Sequence, residues 1–256
     1  MTFTLSGSAP FLANNNKHSW SKNLSATTTS SKNFVPDYHN LAATICQDCL
    51  TSAFNTSKHM VPTRVAPVTV VVPAYNEENV IEQTLSSLVR QTMLPASVIV
   101  VDDCSTDNTS RIAKSYKNVT VLRPPNNTGS KAGAQSYALP FINTKYTIAI
   151  DADTSLPDDA IEKMYKFMES NEETAAASSY VIPKKVTTIW ERGRFVEYMF
   201  VFPFTKRIQE LYGKPLISSG CFSIYDTREL KAVGGWSART MAEDMDLTWT
   251  LYERRS

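Results

Sequence analysis

Apolar and polar positions alternate in two different rhythms along this chain, and the change falls near Pro67. From there on, short β-branched runs are separated by segments of helical period, the alternation that specifies a parallel sheet with crossover helices. Val68–Val72, Ser97–Val101, Val119–Leu122 and Tyr146–Ile150 are nearly continuous apolar runs of strand length and predict four buried strands. Ile81, Leu85, Leu88 and Val89 follow helical spacing after the acidic pair Glu77-Glu78 and predict a first helix. Thr106 or Asp107 is placed to cap a second helix, Lys131–Leu139 supplies a third, and Pro157 with Asp158 and Asp159 predicts the opening of a fourth.

Beyond Thr174 the spacing predicts a strand at Ala176–Val181 and an amphipathic helical pair over Ile189–Tyr212, broken at Pro203. A strand at Ile217–Tyr225, a short helix capped by Thr227, a Gly234-Gly235-Trp236 turn and a final helix after Asp244 complete the pattern. The aromatic group Phe195, Tyr198, Phe200, Phe202 and Phe204 admits two readings. It forms either a core helix or an interfacial helix, flanked by Arg192, Arg194, Lys206 and Arg207, in peripheral contact with a membrane.

Residues 1–66 lack this order. Asn, Ser and Thr dominate and Glu is absent, which predicts a flexible, low-complexity leader ahead of a domain over residues 67–256. The 256 residues carry 26 Lys+Arg against 25 Asp+Glu, so no basic surplus marks a nucleic-acid partner. No apolar run reaches the roughly 18–20 residues of a bilayer-spanning helix, and no secretory h-region opens the chain. Four scattered cysteines fit a reducing compartment, so the expected location is the cytoplasm or the cytoplasmic face of a membrane. Cys46 and Cys49 have the spacing of half a zinc site without a second pair, and His18, His39 and His59 sit in the polar leader.

The segments that follow the strands carry the chemistry, because ligands of open α/β sheets bind beyond the carboxyl ends of the strands. Those segments are acidic: Pro73-Ala74-Tyr75-Asn76-Glu77-Glu78, Asp102 to Asp107, and Asp151-Ala152-Asp153. Carboxylates gathered on one edge call for a cation, and oxygen ligands of this kind suit Mg²⁺ or Mn²⁺ completed by substrate phosphates. A diphosphate ligand is therefore expected. Lys131 opens a helix after a loop containing Gly129, a position suited to anionic oxygen. Neither a P-loop nor G-x-G-x-x-G is present, which argues against ATPase and dinucleotide functions. Glu243, Asp244 and Asp246 form either a charged helix start or, through one carboxylate, a general base.

In order, these motifs resemble family-2 glycosyltransferases of the GT-A fold, from Val68 to about Arg255, closest to the hyaluronan, chitin, cellulose and poly-N-acetylglucosamine synthases. Val71 to Glu78, Val101 to Asp107, Lys131-Ala132-Gly133-Ala134, Asp151-Ala152-Asp153, Ser219-Gly220-Cys221 and Gly234-Gly235-Trp236 with Ala242-Glu243-Asp244 carry the resemblance. It implies a Rossmann-like twisted mixed sheet with helices on both faces, and inverting transfer of a sugar, such as N-acetylglucosamine, from a UDP-sugar to a hydroxyl of a saccharide or glycolipid acceptor. It further implies that Pro73, Ala74, Tyr75 and Glu77 line the nucleotide, and that Asp103 reads the uracil with Asp102 beside it. Asp151 then holds ribose or diphosphate and, with Asp153, the metal, while Lys131 stabilises the departing diphosphate and Asp244 is the catalytic base. Processive members add a Gln-x-x-Arg-Trp element and transmembrane helices, and neither precedes Ser256, so the resemblance covers a domain expected to be truncated at its C-terminus. The alternative function is a sugar-nucleotide-binding or scaffold protein without turnover.

Overall fold

The computed structural model describes Phe3–Leu5, Phe11–Leu12 and residues 64–179, 181–183, 186–211 and 218–255. In chain order the strands are β1 (Phe3–Leu5), β2 (Phe11–Leu12), β3 (Arg64–Ala74), β4 (Met93–Asp102), β5 (Val119–Leu122), β6 (Tyr146–Ile150), β7 (Thr154–Ser155), β8 (Ala176–Ser178), β9 (Val181–Pro183) and β10 (Phe222–Asp226). The helices are α1 (Ile81–Val89), α2 (Thr109–Lys114), α3 (Lys131–Ala138), α4 (Ala160–Ser170), α5 (Ile189–Leu211), α6 (Thr227–Ala232) and α7 (Glu243–Arg255).

A seven-stranded sheet in the order β2-β8-β10-β6-β3-β4-β5 forms the centre. β6, β3, β4 and β5 run parallel, whereas β10 is antiparallel to both β6 and β8. Successive side chains of a strand point to opposite faces, and both faces are apolar here. Val70, Val72, Val98, Val100, Ile148 and Ile150 enter one core with Ile81, Leu85, Ile161 and Met164 from α1 and α4. Val71, Ile99 and Val101 pack on Ala134 and Ala138 of α3, while Ala149 joins Tyr225, Trp236, Leu247 and Leu251 on the same side. Helices thus cover both faces, as the runs of Val and Ile require. A second, three-stranded sheet has the order β7-β1-β9.

All four strands read from the apolar runs are present. Several boundaries fall elsewhere, each for a local reason. The first strand starts at Arg64, inside the stretch assigned to the leader; Phe3–Leu5 and Phe11–Leu12 of that stretch pair in the two sheets, and its other residues, with Cys46, Cys49 and the three histidines, lie outside the described ones. α4 opens at Ala160 rather than Pro157, because the Pro157 and Asp158 carbonyls accept from Gln91 Nε2 (2.7 Å) and Thr92 N (2.6 Å) and hold a turn there. α2 begins after Asn108; Asp107 instead bonds Thr109 N and, through its other oxygen, Glu78 N. α6 is capped by Asp226, whose carboxylate accepts from Arg228 N and Glu229 N, while Thr227 turns inward to the Thr147 hydroxyl at 2.8 Å. α7 begins at Glu243, which places Asp244 in its first turn.

The strand read over Ala176–Val181 is two strands in two sheets, since β8 pairs with β10 and β2 whereas β9 pairs with β1. The last strand starts at Phe222 because Ser218 N and Gly220 N donate to the side chains of Thr248 and Asp244 instead of to a ladder. The helical pair is one 23-residue helix through Pro203. Proline removes a single backbone bond, at a cost of about 3 kcal/mol, and the turns on either side keep theirs. Its aromatics divide: Phe200 and Phe204 are each 68% exposed, whereas Phe195 and Tyr198 are half-buried.

Candidate active site

Three adjacent parallel strands end at the same edge, so the backbone alone brings their following segments together. These line a cleft of about 510 Å³ bounded by Pro73, Ala74, Tyr75, Glu77, Asp103, Asn127, Gly129, Ser130, Lys131, Ala134, Asp151, Ala152 and Asp153. The loops after β3 and β4 are stitched to each other. Asn76 Oδ1 accepts from Thr106 N (2.8 Å), Asn76 N donates to Ser105 Oγ (3.0 Å), Glu77 N to Thr109 Oγ1 (2.8 Å), and Asn108 N to Glu78 Oε2 (2.9 Å). The stitching holds Asn76 and Cys104 at positive φ, 56° and 64°, a region that side chains other than glycine seldom occupy.

The adjacent aspartates of the second loop part company. Asp102 is fully buried and does not line the cleft: one oxygen is ion-paired with Arg123 and the other accepts from Ser105 N at 3.0 Å. Arg123 also donates to Ser105 O at 3.0 Å, which braces the loop from beneath. Asp103 lines the cleft, with its carboxylate oxygens accepting from Thr128 N (2.8 Å) and Thr128 Oγ1 (2.9 Å). Sequence reasoning passed over Thr128 and Arg123, and only a spacing of more than twenty residues to the aspartates they serve would have marked them.

α3 starts at the cleft. Ser130 caps it by accepting from Gly133 N at 3.1 Å, and Gly133 is required there, since a Cβ would lie 2.7 Å from Thr128 Oγ1. Lys131 therefore projects from the helix start, ion-paired with Asp151, 3.7 Å from Glu243 Oε1, and donating to Gly220 O at 3.0 Å. Burial pulls its ammonium pKa down, but Asp151 and the other nearby groups outweigh that and leave it raised. The opposite imbalance holds at Asp153 and Glu77. Burial first, then Asp151 at Asp153 and Asp153 at Glu77, push both carboxyls above the ordinary range.

Asp244 stands across Gly220 from Lys131. Gly220 N donates to Asp244 Oδ2 at 3.1 Å, so one residue's carbonyl meets the lysine while its N–H meets the aspartate. A Cβ on Gly220 would lie 3.0 Å from Lys131 Nζ and 3.5 Å from Asp244 Oδ2. Cys221 follows, and burial, then Asp151, push its thiol up to about 12, so it stays protonated. Asp246 is held elsewhere, in a two-oxygen clamp with Arg239 Nε at 3.0 and 2.9 Å.

Among the described residues no three His, Cys, Asp or Glu side chains converge into a metal cage. Asp151 and Asp153 nonetheless fit a hard divalent cation, because ions of this kind bind through one or two carboxylates and take their remaining ligands from water and phosphate. Burial first, then the neighbouring carboxylates, raise the Asp153 and Glu77 carboxyls, the environment in which a divalent cation would favour their charged forms.

A mixed sheet with acidic loops at the carboxyl ends of its parallel strands, a lysine at a helix start and an aspartate facing it defines the GT-A class of nucleotide-sugar domains. The chain belongs to glycosyl transferase family 2, whose model matches residues 69–234. It is 27% identical over 192 residues to a poly-beta-1,6-N-acetyl-D-glucosamine synthase of Staphylococcus epidermidis, covering 74% of this chain and 46% of that protein. The corresponding Staphylococcus aureus synthase is 25% identical over 189 residues, 73% of this chain and 46% of that one. The chain thus spans less than half the length of these curated relatives. Among solved structures, a Pyrobaculum calidifontis mannosyltransferase in complex with GDP-Man and Mn²⁺ aligns with a TM-score of 0.57 at 20% identity, covering 84% of this chain and 60% of that one. S. aureus TarS 1–349 in complex with UDP-GlcNAc aligns with a TM-score of 0.52 at 22% identity, covering 72% and 53%.

Proposed function

We propose that this domain transfers a sugar, N-acetylglucosamine foremost, from its UDP donor to a hydroxyl of a saccharide or glycolipid acceptor, with inversion at the anomeric carbon. The observation that carries this reading is the shared residue Gly220, whose carbonyl and N–H tie the cleft residue Lys131 to Asp244. Tyr75, half exposed beside Pro73 and Ala74, offers a ring to the base, and Asp103 a carboxylate already oriented by Thr128. Asp151 and Asp153 would hold Mg²⁺ or Mn²⁺, which when bound supplies positive charge at the diphosphate.

Asp244 accepts the proton of the attacking hydroxyl, a bond forms from that oxygen to the anomeric carbon, and the bond to the diphosphate breaks with its electron pair leaving on UDP. Lys131 opposes the charge that develops there. The same reading places the reaction at the cytoplasmic side of a membrane, in keeping with the free thiols of Cys104 and Cys221.

The test is UDP release from a panel of UDP-sugars with and without Mn²⁺, with product mass as the second readout. Metal-dependent release with UDP-N-acetylglucosamine and an oligosaccharide is the expected result. UDP binding without release from any donor would establish the non-catalytic alternative. Calorimetry gives an independent check: UDP affinity falls at least tenfold on adding EDTA and in Asp153→Asn, and equal affinity in all three would remove the two aspartates from this role.

A further inference from the structure

Asp103 is only 5% exposed yet lines the cleft, and among the described residues Thr128 alone meets its carboxylate. Thr128 N donates to Oδ1 at 2.8 Å and Thr128 Oγ1 to Oδ2 at 2.9 Å, so the group is held at both oxygens. An ionised carboxylate accepts at roughly four lone-pair positions, which leaves about two for a ligand in the cleft. Two anchors also fix its plane, because neither a rotation nor a sideways shift keeps both bonds.

The latch is itself held. Asn127 Nδ2 donates to Asp103 O at 2.7 Å, and Asn127 Oδ1 accepts from Gly129 N at 2.8 Å, which ties the loop to the backbone of the same aspartate. Thr128 Oγ1 also lies 3.0 Å from Ser130 O, which shares its single proton. From the other side α3 approaches so closely that a Cβ at Gly133 would lie 2.7 Å from Thr128 Oγ1 and 2.8 Å from its Cβ.

We propose that Thr128 is a specificity-determining positioning residue: by pinning the Asp103 carboxylate it selects a pyrimidine that presents a ring N–H, as uracil does, over one that presents a ring lone pair, as cytosine does. The inference rests on the UDP-sugar reading above. A carboxylate can accept from either base, from N3–H of uracil or, after moving over by one atom, from the exocyclic amine of cytosine. A pinned carboxylate cannot make that move. Opposite cytosine it meets the N3 lone pair, and a buried acceptor left facing an acceptor discriminates sharply between otherwise similar ligands.

The test is calorimetry of UDP and CDP in the presence of Mn²⁺ on wild type, Thr128→Val and Thr128→Ser, with steady-state kinetics on the UDP-sugar. Wild type prefers UDP. Thr128→Val lowers UDP affinity about tenfold, the loss of one hydrogen bond to a charged acceptor, without lowering CDP affinity, so the UDP/CDP ratio falls by about that factor. KM for the donor rises correspondingly while kcat stays within about threefold, because Lys131 and Asp244 are held through Gly220 instead. Thr128→Ser keeps both donors and the wild-type ratio. Thr128→Ala removes the hydroxyl without adding bulk and is read in place of the valine variant if that does not fold. An unchanged ratio in the folded variant, or UDP and CDP affinities that fall together as a merely loosened loop would give, overturns the inference alone. Wild-type protein that binds neither nucleotide overturns the UDP-sugar reading and this inference with it.

Discussion

Two carboxylates one residue apart differ in what they are for. Asp102 has no access to the cleft, and its charge is matched by Arg123 beneath the loop. Arg123→Met would leave that buried charge with a single backbone donor, so unfolding free energy from urea titration falls by about 2–3 kcal/mol. UDP affinity falls with it, because the same arginine holds Ser105 O. Asp244 differs again. As the proton acceptor it contributes in the transition state, so Asp244→Asn lowers kcat at least a thousandfold while UDP affinity and Tm stay near wild type. Asn still accepts the Gly220 N–H, so a fewfold loss would leave Asp244 a structural role only. Asp246→Asn, which touches the Arg239 clamp instead, changes kcat less than tenfold.

Asp153 is costly to the fold in its charged form, since its raised carboxyl reports burial and repulsion from Asp151. Asp153→Asn therefore raises the Tm of the donor-free protein by roughly 1–4 °C in calorimetry at neutral pH, while losing metal-dependent UDP binding.

At the scale of the element, α6 gives a measurable account of capping. Asp226 is buried, yet the Arg228 guanidinium and the N–H groups of Arg228 and Glu229 hold its carboxyl below the ordinary range. A lowered folded-state pKa contributes stability above the unfolded value of about 3.9 and loses it as pH falls through the folded value. Asp226→Asn keeps a cap but lacks the charge-dependent part, so its Tm lies below wild type at neutral pH and the two converge as pH falls below about 4. Asp226→Ala costs about 1–2 kcal/mol at neutral pH. Thermal melts between pH 3 and 7 distinguish the two variants. α5 teaches the other lesson about elements. Its period is legible as amphipathic, but period alone does not say which side of a helix is covered, and here Phe195 and Tyr198 are half-buried while Phe200 and Phe204 are exposed.

Among the described residues the buried cores are drawn from Ala66 onward. We propose residues 67–256 as the folding unit, with the stretch before it dispensable. A chain lacking residues 1–60 keeps a single cooperative transition in calorimetry, with Tm lowered by a few degrees because the short ladders of β1 and β2 are lost. Loss of the transition would make the first sixty residues part of the core.

Runs of Val and Ile determined β3 to β6 and their parallel order, because a strand buried on both faces must be apolar throughout and says so locally. The acidic segments after those strands were legible for the same reason: strand ends are local features, and the sheet edge follows from them. What only the tertiary structure decided is the pairing of residues far apart in the chain. Lys131 and Gly220 are 89 positions apart, Asp103 and Thr128 are 25, and no period or composition links either pair. Asp102 and Asp103 look alike in sequence, yet one faces inward to Arg123 and the other into the cleft. Successive residues beyond a strand end face opposite ways, and which way is open depends on what the rest of the chain packs there.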